Sequence, residues 1–499
     1  MMDFELVVGV EIHAQLKTRS KLFCSCPNRF GDLPNANTCP VCLAHPGTLP
    51  VLNAGVVEKV VKAGLALNCE INELSRFARK NYYYPDLPKG YQISQYELPI
   101  CTNGWVEIKD AVGNTKKIRI RRIHIEEDAG KLLHDGVGPK HSPGGSPKGG
   151  VPEGSYVDLN RAGTPLMEIV TEPDFSTSDE VHDFLTQLRQ ILRYLGVCDG
   201  NMEEGSLRCE PNISIREKGA SELGVKIELK NLSSFKAARK GIEYEFSRQQ
   251  EMLSRGEKLR QETRGWDEDK EQSYIMRSKE DAPDYRYFPD PDLPPIKVQP
   301  EFINRIRQGM EELPKAKKER LCREWGLSTV DSEVICTEPE IASFFETVAK
   351  ICGDPKIAAN WVMGEVLRAL KAGGSIAGFP VREDRLGDLL KMVISGKISN
   401  SIAKKVFEIM LSSPERPEVI VETRGLSVVN DESAISGAID ETLAENDAQV
   451  KQFLSGKDKV MGFLVGQVMR KMKGKAEPGA LNRLLKEKLD RLKVNNDSH

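Results

Sequence analysis

Four stretches of this chain alternate apolar residues with charged or histidine side chains, and this period of two constrains the fold more than any other feature. The stretches are residues 10–14, 123–128, 206–210 and 225–230. In a β-strand successive side chains point to opposite faces, so residues i and i+2 share a face. The pattern predicts four strands whose polar faces carry Glu11 with His13, His124 with Glu126, Arg208 with Glu210, and Glu228 with Lys226 and Lys230.

The polar faces of these predicted strands are rich in carboxylates. One amphipathic strand is ordinary, but four such strands favour a sheet whose polar face forms a functional cleft. Closely packed charges are costly unless a cation or a charged substrate lies among them. Carboxylate oxygens suit Mg²⁺, and His13 and His124 would serve as ligands or proton carriers. The alternative is a solvated sheet face crossed by ion pairs.

Length and composition describe a globular protein of several domains. The chain has 499 residues, which is enough for two to four domains. Its net charge of −3 argues against a surface coated throughout for nucleic acid. The sequence contains no apolar run near the ~20 residues of a membrane helix. A strand pattern begins almost at the N-terminus, so we expect a cytoplasmic protein with no signal peptide and no membrane contact.

The hydrophobic period changes along the chain and predicts three domains. Residues 1–295 are mainly strands and loops, with helical patches at 179–195 and 233–253 and a Gly-rich loop at 136–154. The strand phase slips by one residue near Arg121 and Arg122, which predicts a β-bulge. After the proline-dense stretch 289–295, apolar residues follow helical spacing, so residues 296–411 form a helical domain. A second hinge at 412–417 opens a small helical tail, 412–499.

Four cysteines predict a metal centre. Cys24 and Cys26, then Cys39 and Cys42, form two close pairs that would close a tetrahedral thiolate site for structural zinc. His45 would be a substitute ligand, and clustered reduced thiols are the alternative. The other seven cysteines are expected to be buried apolar residues.

Residues 79–92 interleave basic and aromatic side chains, among them Lys80, three consecutive tyrosines and Lys89. Such a stretch suits a groove that stacks a base and holds phosphate, or a tyrosine-rich turn packed on the core. Known catalytic loops are missing. The sequence has no Walker A motif, nucleophile elbow, kinase Gly-rich loop or amidase signature.

Several ordered motifs together resemble the GatB family, the B subunits of the aspartyl/glutamyl-tRNA(Asn/Gln) amidotransferases. They occupy residues 10–16, 124–131, 158–166, 202–210, 230–236, 262–266 and 462–469, so the likeness spans nearly the whole chain. It departs at Glu210, where many members have Asp, and at Leu232, where Asn is usual. The resemblance implies an α+β fold, with an antiparallel-sheet cradle domain followed by an all-α helical domain and a small YqeY-like helical tail.

The resemblance also implies a reaction. ATP phosphorylates the side-chain carboxylate of misacylated Glu-tRNA(Gln) or Asp-tRNA(Asn), and ammonia from glutamine displaces phosphate, which is an ATP-dependent carbon–nitrogen ligase activity. Metal ions must align the anionic triphosphate with the anionic side chain. The matching positions imply Mg²⁺ and phosphate chemistry at Glu11, His13, Glu126 and Glu127. Further catalytic candidates are Glu204 and Glu210, and the candidates for nucleotide binding are Lys80, Lys89, Arg208, Glu228 and Lys230.

The implied partners are an amidase subunit (GatA), a small subunit (GatC) and misacylated tRNA. Residues 457–493 hold 11 Lys+Arg and 4 Asp+Glu, a local charge of 11 − 4 = +7, so we expect the tail to bind the tRNA body. The alternative is a solvated helix end that binds no tRNA. Two other functions stay open: a zinc-stabilised scaffold that only presents tRNA, which would avoid Glu beside phosphate, and a free-standing ATP ligase for a small acid.

Overall fold

A computed structural model of the protein describes residues 3–110, 112–133, 155–278, 284–370, 375–426, 432–455, 460–472, 476 and 478–496. The chain divides into two compact units, Met1–Pro314 and Lys315–His499. This division into two units does not test the predicted domain boundaries at residues 295 and 411, which stay predictions. The predicted loop at 136–154 lies outside the described residues.

The first unit is built mostly of strands. In chain order the strands are β1 Phe4–Gln15, β2 Glu70–Ile71, β3 Leu74–Ser75, β4 Ala78–Asn81, β5 Tyr91–Ser94, β6 Cys101–Lys109, β7 Thr115–Glu127, β8 Lys131–Leu133, β9 Tyr156–Asp158, β10 Pro165–Thr171, β11 Leu207–Glu217, β12 Ile227–Lys230, β13 Glu262–Asp267, β14 Gln272–Ser278, β15 Phe288–Pro289 and β16 Ile296–Lys297. Its helices are α1 Ala54–Ala66, α2 Ser178–Tyr194, α3 Phe235–Ser254 and α4 Pro300–Gln308.

The elements that the structure describes in the second unit are helices and helical turns. Its elements are α5 Pro314–Trp325, α6 Thr329–Ile335, α7 Pro339–Cys352, α8 Pro355–Trp361, a π-helical turn Val362–Val366, α9 Leu367–Leu370, a 3₁₀ turn Ile376–Gly378, α10 Glu383–Ile394, α11 Asn400–Met410, α12 Pro417–Thr423, α13 Glu432–Glu445, α14 Asp447–Leu454, α15 Val460–Lys471 and α16 Pro478–Asn496. The apolar residues with helical spacing after residue 295 lie at 341–351, 386–394 and 402–410, and these stretches fall on α7, α10 and α11. No helix within the described ranges is long and apolar enough to cross a membrane.

The centre of the first unit is a nine-stranded sheet in the order β14-β13-β12-β11-β1-β10-β7-β6-β2. Every neighbouring pair in it is antiparallel except β12 with β13, which is parallel. An antiparallel-dominated sheet followed by helices confirms the predicted α+β class.

The four alternating stretches fall on β1, β7, β11 and β12, as predicted. The β-bulge is also confirmed. Val170 of β10 pairs with Arg122, and the next residue, Thr171, pairs with Ile120, so Arg121 is the extra residue. The bulge restores the apolar phase on both sides of it, because Ile118, Ile120, Ile123 and Ile125 are all buried.

One face of the sheet forms the core and the other is polar. Val10, Ile12 and Ala14 of β1 are at most 1% exposed and share a hydrophobic cluster with apolar residues of α1, α2 and α3. The helices therefore cover the apolar face, and Glu11 and His13 lie on the opposite one. Leu232 belongs to the same cluster, so the departure from Asn at this position fits its apolar surroundings.

Candidate active site and metal centre

The strand order places four ionisable side chains in one row across the polar face. His13 of β1 pairs with Arg208 of β11 on one side and with Glu168 of β10 on the other. Glu168 in turn pairs with His124 of β7. Neighbours in such a row have Cβ atoms about 4.5–5.5 Å apart, which brings their side chains within reach of one another.

A first carboxylate–imidazole group forms at this row from His13, His124, Glu126 and Glu168. The Nε2 atom of His13 lies 3.6 Å from Glu168 and 3.7 Å from Glu126, and the Nε2 atom of His124 lies 3.0 Å from Glu168. One ligand atom from each of His13, Glu126 and Glu168 falls within 4.8 Å of the others, which is close enough to hold a metal ion. The Nδ1 atoms of both histidines are buried and have no hydrogen-bond partner in the part of the chain described.

The charges in this group are mutually dependent. Burial lowers the pKa of His13, but the carboxylates of Glu168 and Glu126 outweigh burial and raise it to about 9. Burial also lowers the pKa of His124, but the carboxylates of Glu168 and Glu126 outweigh burial and raise this pKa overall. Burial raises the pKa of Glu168, yet the two imidazoles hold it well below its usual range. Positive charge on the imidazoles is thus favoured beside the carboxylates, and a divalent cation would take its place, since metal ligands must be deprotonated.

A second carboxylate group lies beside the first. Oxygens of Glu11, Glu210 and Glu228 fall within 4.8 Å of one another, on β1, β11 and β12. Burial, followed by the charges of Glu168 and Glu210, raises the pKa of Glu11. The Lys230 ammonium bridges Glu210 at 2.6 Å and Glu228 at 3.3 Å, and so offsets part of this negative charge.

The four residues predicted as one magnesium set are divided in the structure. His13 and Glu126 belong to the first group and Glu11 to the second, whereas Glu127 belongs to neither. Glu127 follows Glu126 directly, so its side chain points to the other face of the strand. Its carboxylate contacts the ammonium of Lys89 and accepts a hydrogen bond of 2.9 Å from the Ile93 amide.

The remaining predicted residues differ in their placement. Arg208 donates a hydrogen bond of 2.9 Å to the buried Asp128, and Gln15 donates another of 2.8 Å. Lys80 lies close to the first group: burial lowers its pKa, but the charges of Glu126 and Glu168 raise it overall. Glu204 is exposed in the turn before β11 and belongs to neither carboxylate group.

The four cysteines converge as their spacing predicts. The Cys42 sulfur lies 3.5 Å from Cys24, 3.7 Å from Cys26 and 3.8 Å from Cys39. A tetrahedral site with Zn–S bonds of ~2.3 Å requires sulfurs about 3.8 Å apart, so the cluster has the dimensions of a zinc site. His45 is not part of the group of possible ligands.

A buried lysine accompanies the cysteines. The side chain of Lys21 is 0% exposed, and its ammonium donates to the Asn37 carbonyl at 2.8 Å, the Leu159 carbonyl at 3.3 Å and the Cys42 sulfur at 3.5 Å. A buried ammonium requires an anionic partner, and among these acceptors only the sulfur can carry charge. A hydrogen bond with Cys24 and the charge of Lys21 outweigh burial and lower the pKa of Cys42 to about 4. The charge of the metal-free cluster is therefore concentrated on the Cys42 thiolate beside the Lys21 ammonium, because hydrogen bonding and burial raise the pKa values of Cys24 and Cys26.

A cavity of about 220 Å³ lies beside the cysteine cluster. Its walls include Cys24, Cys42 and His45 on the metal-centre side, and Lys89 and Glu127 on the sheet side. The four-cysteine loop thus shapes the wall that faces Glu127.

Sequence reasoning missed Glu168 and Asp128 as members of the site. Glu168 lies in a mostly apolar strand, residues 165–171, that shows no alternation. The available signal was a single carboxylate in an otherwise apolar strand, since an unpaired buried carboxylate is costly. Asp128 lies just beyond the end of β7, where the alternation no longer assigns a face.

Comparisons with known proteins agree with these features. A model of the GatB/GatE catalytic domain matches residues 6–304, and a model described as GatB domain matches residues 343–489. The chain is 51% identical over 491 residues to the B subunit of the aspartyl/glutamyl-tRNA(Asn/Gln) amidotransferase from Thermoanaerobacter pseudethanolicus, covering 98% of this chain and 100% of the relative. Identity is 51% with the protein of the same name from Trichlorobacter lovleyi and 50% with that from Chlorobium phaeobacteroides, with the same coverage.

Proposed function

Because the chain belongs to the GatB/GatE family, we propose that it is the part of a tRNA-dependent amidotransferase that activates a side-chain carboxylate with ATP and converts it to the amide. The substrates are Glu-tRNA(Gln), Asp-tRNA(Asn) or both, by analogy with the names of the relatives. The observation that carries the proposal is the polar sheet face, where two carboxylate groups lie beside the partly buried cations Lys230 and Arg208.

The proposed reaction has two steps. A carboxylate oxygen of the tRNA-borne side chain attacks the γ-phosphorus of ATP, and the bond from phosphorus to the ADP oxygen breaks. Ammonia then attacks the activated carbonyl carbon, and phosphate leaves with the electron pair of the C–O bond. Both steps bring anions together, so catalysis rests on positioning and on compensating charge.

The residues of this chain divide these tasks. Magnesium, when bound, would neutralise and orient the triphosphate. The carboxylates of the first group (Glu126, Glu168) and of the second group (Glu11, Glu210, Glu228) are the oxygen donors that it prefers. Lys80 and Arg208 supply fixed positive charge at the edge of this face for phosphate and for the acyl carboxylate, whereas Lys89 pairs with Glu127 on the other face of β7. Asp128 holds Arg208 in position.

The names of the relatives imply an enzyme of several chains. We place glutamine hydrolysis on an amidase partner, with a small third subunit completing a heterotrimer, since this chain lacks an amidase signature. The four-cysteine site would hold structural zinc, because four thiolates leave no open coordination position for chemistry.

The tail is proposed to hold the tRNA body. Three of its basic residues are already paired with acids of α13: Lys471 with Glu441 and Glu445, and Lys488 with Asp440 at 2.6 Å, while Arg483 contacts Glu432. Exposed positions that remain for phosphate are Arg470, Lys486, Arg491 and Lys493. The predicted contributors Lys473 and Lys475 lie outside the described residues.

The test is Glu126→Gln in the complex reconstituted with amidase and small subunits. This change keeps the shape of the side chain and removes its charge, so ATP-dependent amidation should be lost while glutamine hydrolysis and tRNA binding survive. Glu172→Gln is the matched control, because Glu172 pairs with Arg121 and is a member of neither group. Amidation by Glu126→Gln at the rate of the control would place the chemistry elsewhere.

A further inference from the structure

Five tyrosine rings form a continuous series beside the first carboxylate group. We call it the tyrosine ladder, and in order its members are Tyr84, Tyr82, Tyr285, Tyr287 and Tyr96. The first three contacts are edge-to-face, with centroids 6.1, 6.1 and 6.2 Å apart. The last pair, Tyr287 with Tyr96, is stacked at 4.3 Å with an interplanar angle of 8°.

The ladder lies against the candidate active site. The Lys80 ammonium, which faces Glu126 and Glu168, is 4.8 Å from the ring centroid of Tyr285. Ser94, at the end of β5, donates a hydrogen bond of 3.3 Å to Glu126. Tyr96 follows Ser94 by two residues, a distance of at most ~7 Å along the chain. The stacked pair thus lies within a short reach of the carboxylates.

The end of the ladder at Tyr96 is open to solvent. Tyr96 is 49% exposed and Phe288 is 44% exposed, and with Tyr287 and Arg76 they line a shallow recess. A parallel aromatic pair with a solvent-facing ring is the arrangement onto which a further flat ring stacks.

We infer that Tyr96, backed by Tyr287, stacks an adenine ring, and that this ring is the terminal base of the tRNA acceptor end. The inference rests on the proposed function. The terminal nucleoside is the part of the tRNA that carries the acyl group on its ribose, so its base must stay close to the carboxylates when that acyl group reacts there. Stacking needs no base-specific hydrogen bond, which suits a terminus that different tRNAs share. The adenine of ATP has the same ring and is the competing source.

The test measures binding of two tRNAs by the reconstituted complex: an unacylated tRNA with its terminal adenosine, and the same tRNA lacking only that nucleotide. Loss of one base–aromatic stack should raise the Kd of Tyr96→Leu for the complete tRNA about 5- to 150-fold. The same variant should bind the shortened tRNA as the wild type does, because the base that Tyr96 holds is already gone. Tyr96→Phe keeps the ring and should bind both tRNAs normally.

Two controls separate the outcomes. Tyr274→Leu removes a tyrosine of similar exposure, 45%, on β14 and should leave both Kd values unchanged. Equilibrium binding of ATP is measured in parallel: a raised Kd for ATP with unchanged tRNA binding would assign the adenine to the nucleotide and overturn the tRNA assignment. Unchanged Kd values for both ligands would overturn the stacking site itself. Failure of the wild-type complex to amidate or to bind tRNA would instead refute the proposed function, whatever Tyr96 does.

Discussion

Replacing Lys21 by methionine tests whether the four-cysteine site is an anionic metal centre. Methionine has a similar length and no charge. The substitution removes the ammonium that contacts the Cys42 sulfur at 3.5 Å and the carbonyls of Asn37 and Leu159 at 2.8 and 3.3 Å. The thiolates then lose their counter-charge in a site where Lys21 is fully buried.

The expected size of the effect follows from these contacts. A hydrogen bond to a charged group contributes about 1.5–3 kcal/mol, so zinc affinity should fall by roughly 10- to 150-fold. Removing one member of a buried ionic pair destabilises a protein by about 3–5 kcal/mol, so unfolding of the zinc-loaded protein should require that much less free energy.

Zinc affinity is measured by competition with a chromophoric chelator at fixed pH, and the coordination by the thiolate absorption of the cobalt-substituted protein. Lys17→Met is the control, since Lys17 lies close in sequence but is exposed. Lys21→Gln, which can still donate to a carbonyl, should recover stability more than zinc affinity. Zinc affinity of Lys21→Met equal to that of the Lys17→Met control would refute the assignment of Lys21 as the counter-charge.

Two further predictions concern the sheet and the tail. Glu168→Gln removes the carboxylate between His13 and His124. It should lower the amidation rate about 10- to 100-fold, as the loss of a metal-site residue does, and Glu172→Gln serves again as the control. A rate within twofold of that control would show that Glu168 is not part of the site. Neutralising the exposed tail residues Arg470, Lys486 and Arg491 should weaken tRNA binding and reduce the slope of log Kd against log salt by about one unit for each phosphate interaction removed. The matched set Lys471, Arg483 and Lys488, already paired with acids, should change the slope less, and equal slopes for the two sets would argue against the tail as a tRNA-binding surface.

Local patterns predicted the elements of the fold well, because period and spacing act over neighbouring residues. Alternation identified β1, β7, β11 and β12, and the slip in phase located the bulge at Arg121. Helical spacing located α7, α10 and α11, and the two cysteine pairs indicated their cluster.

The sequence by itself determined which side chains share a face within each strand and that four cysteines can meet. Only the tertiary structure decided which strands are neighbours. It places β10 between β1 and β7, so Glu168 separates His13 from His124, and it assigns Glu11 and Glu126 to different carboxylate groups. It also brings Tyr96 against Tyr287, nearly two hundred residues later in the chain. Strand order and register arise from long-range pairing and from burial of a shared apolar face, and a period of two carries no information about either.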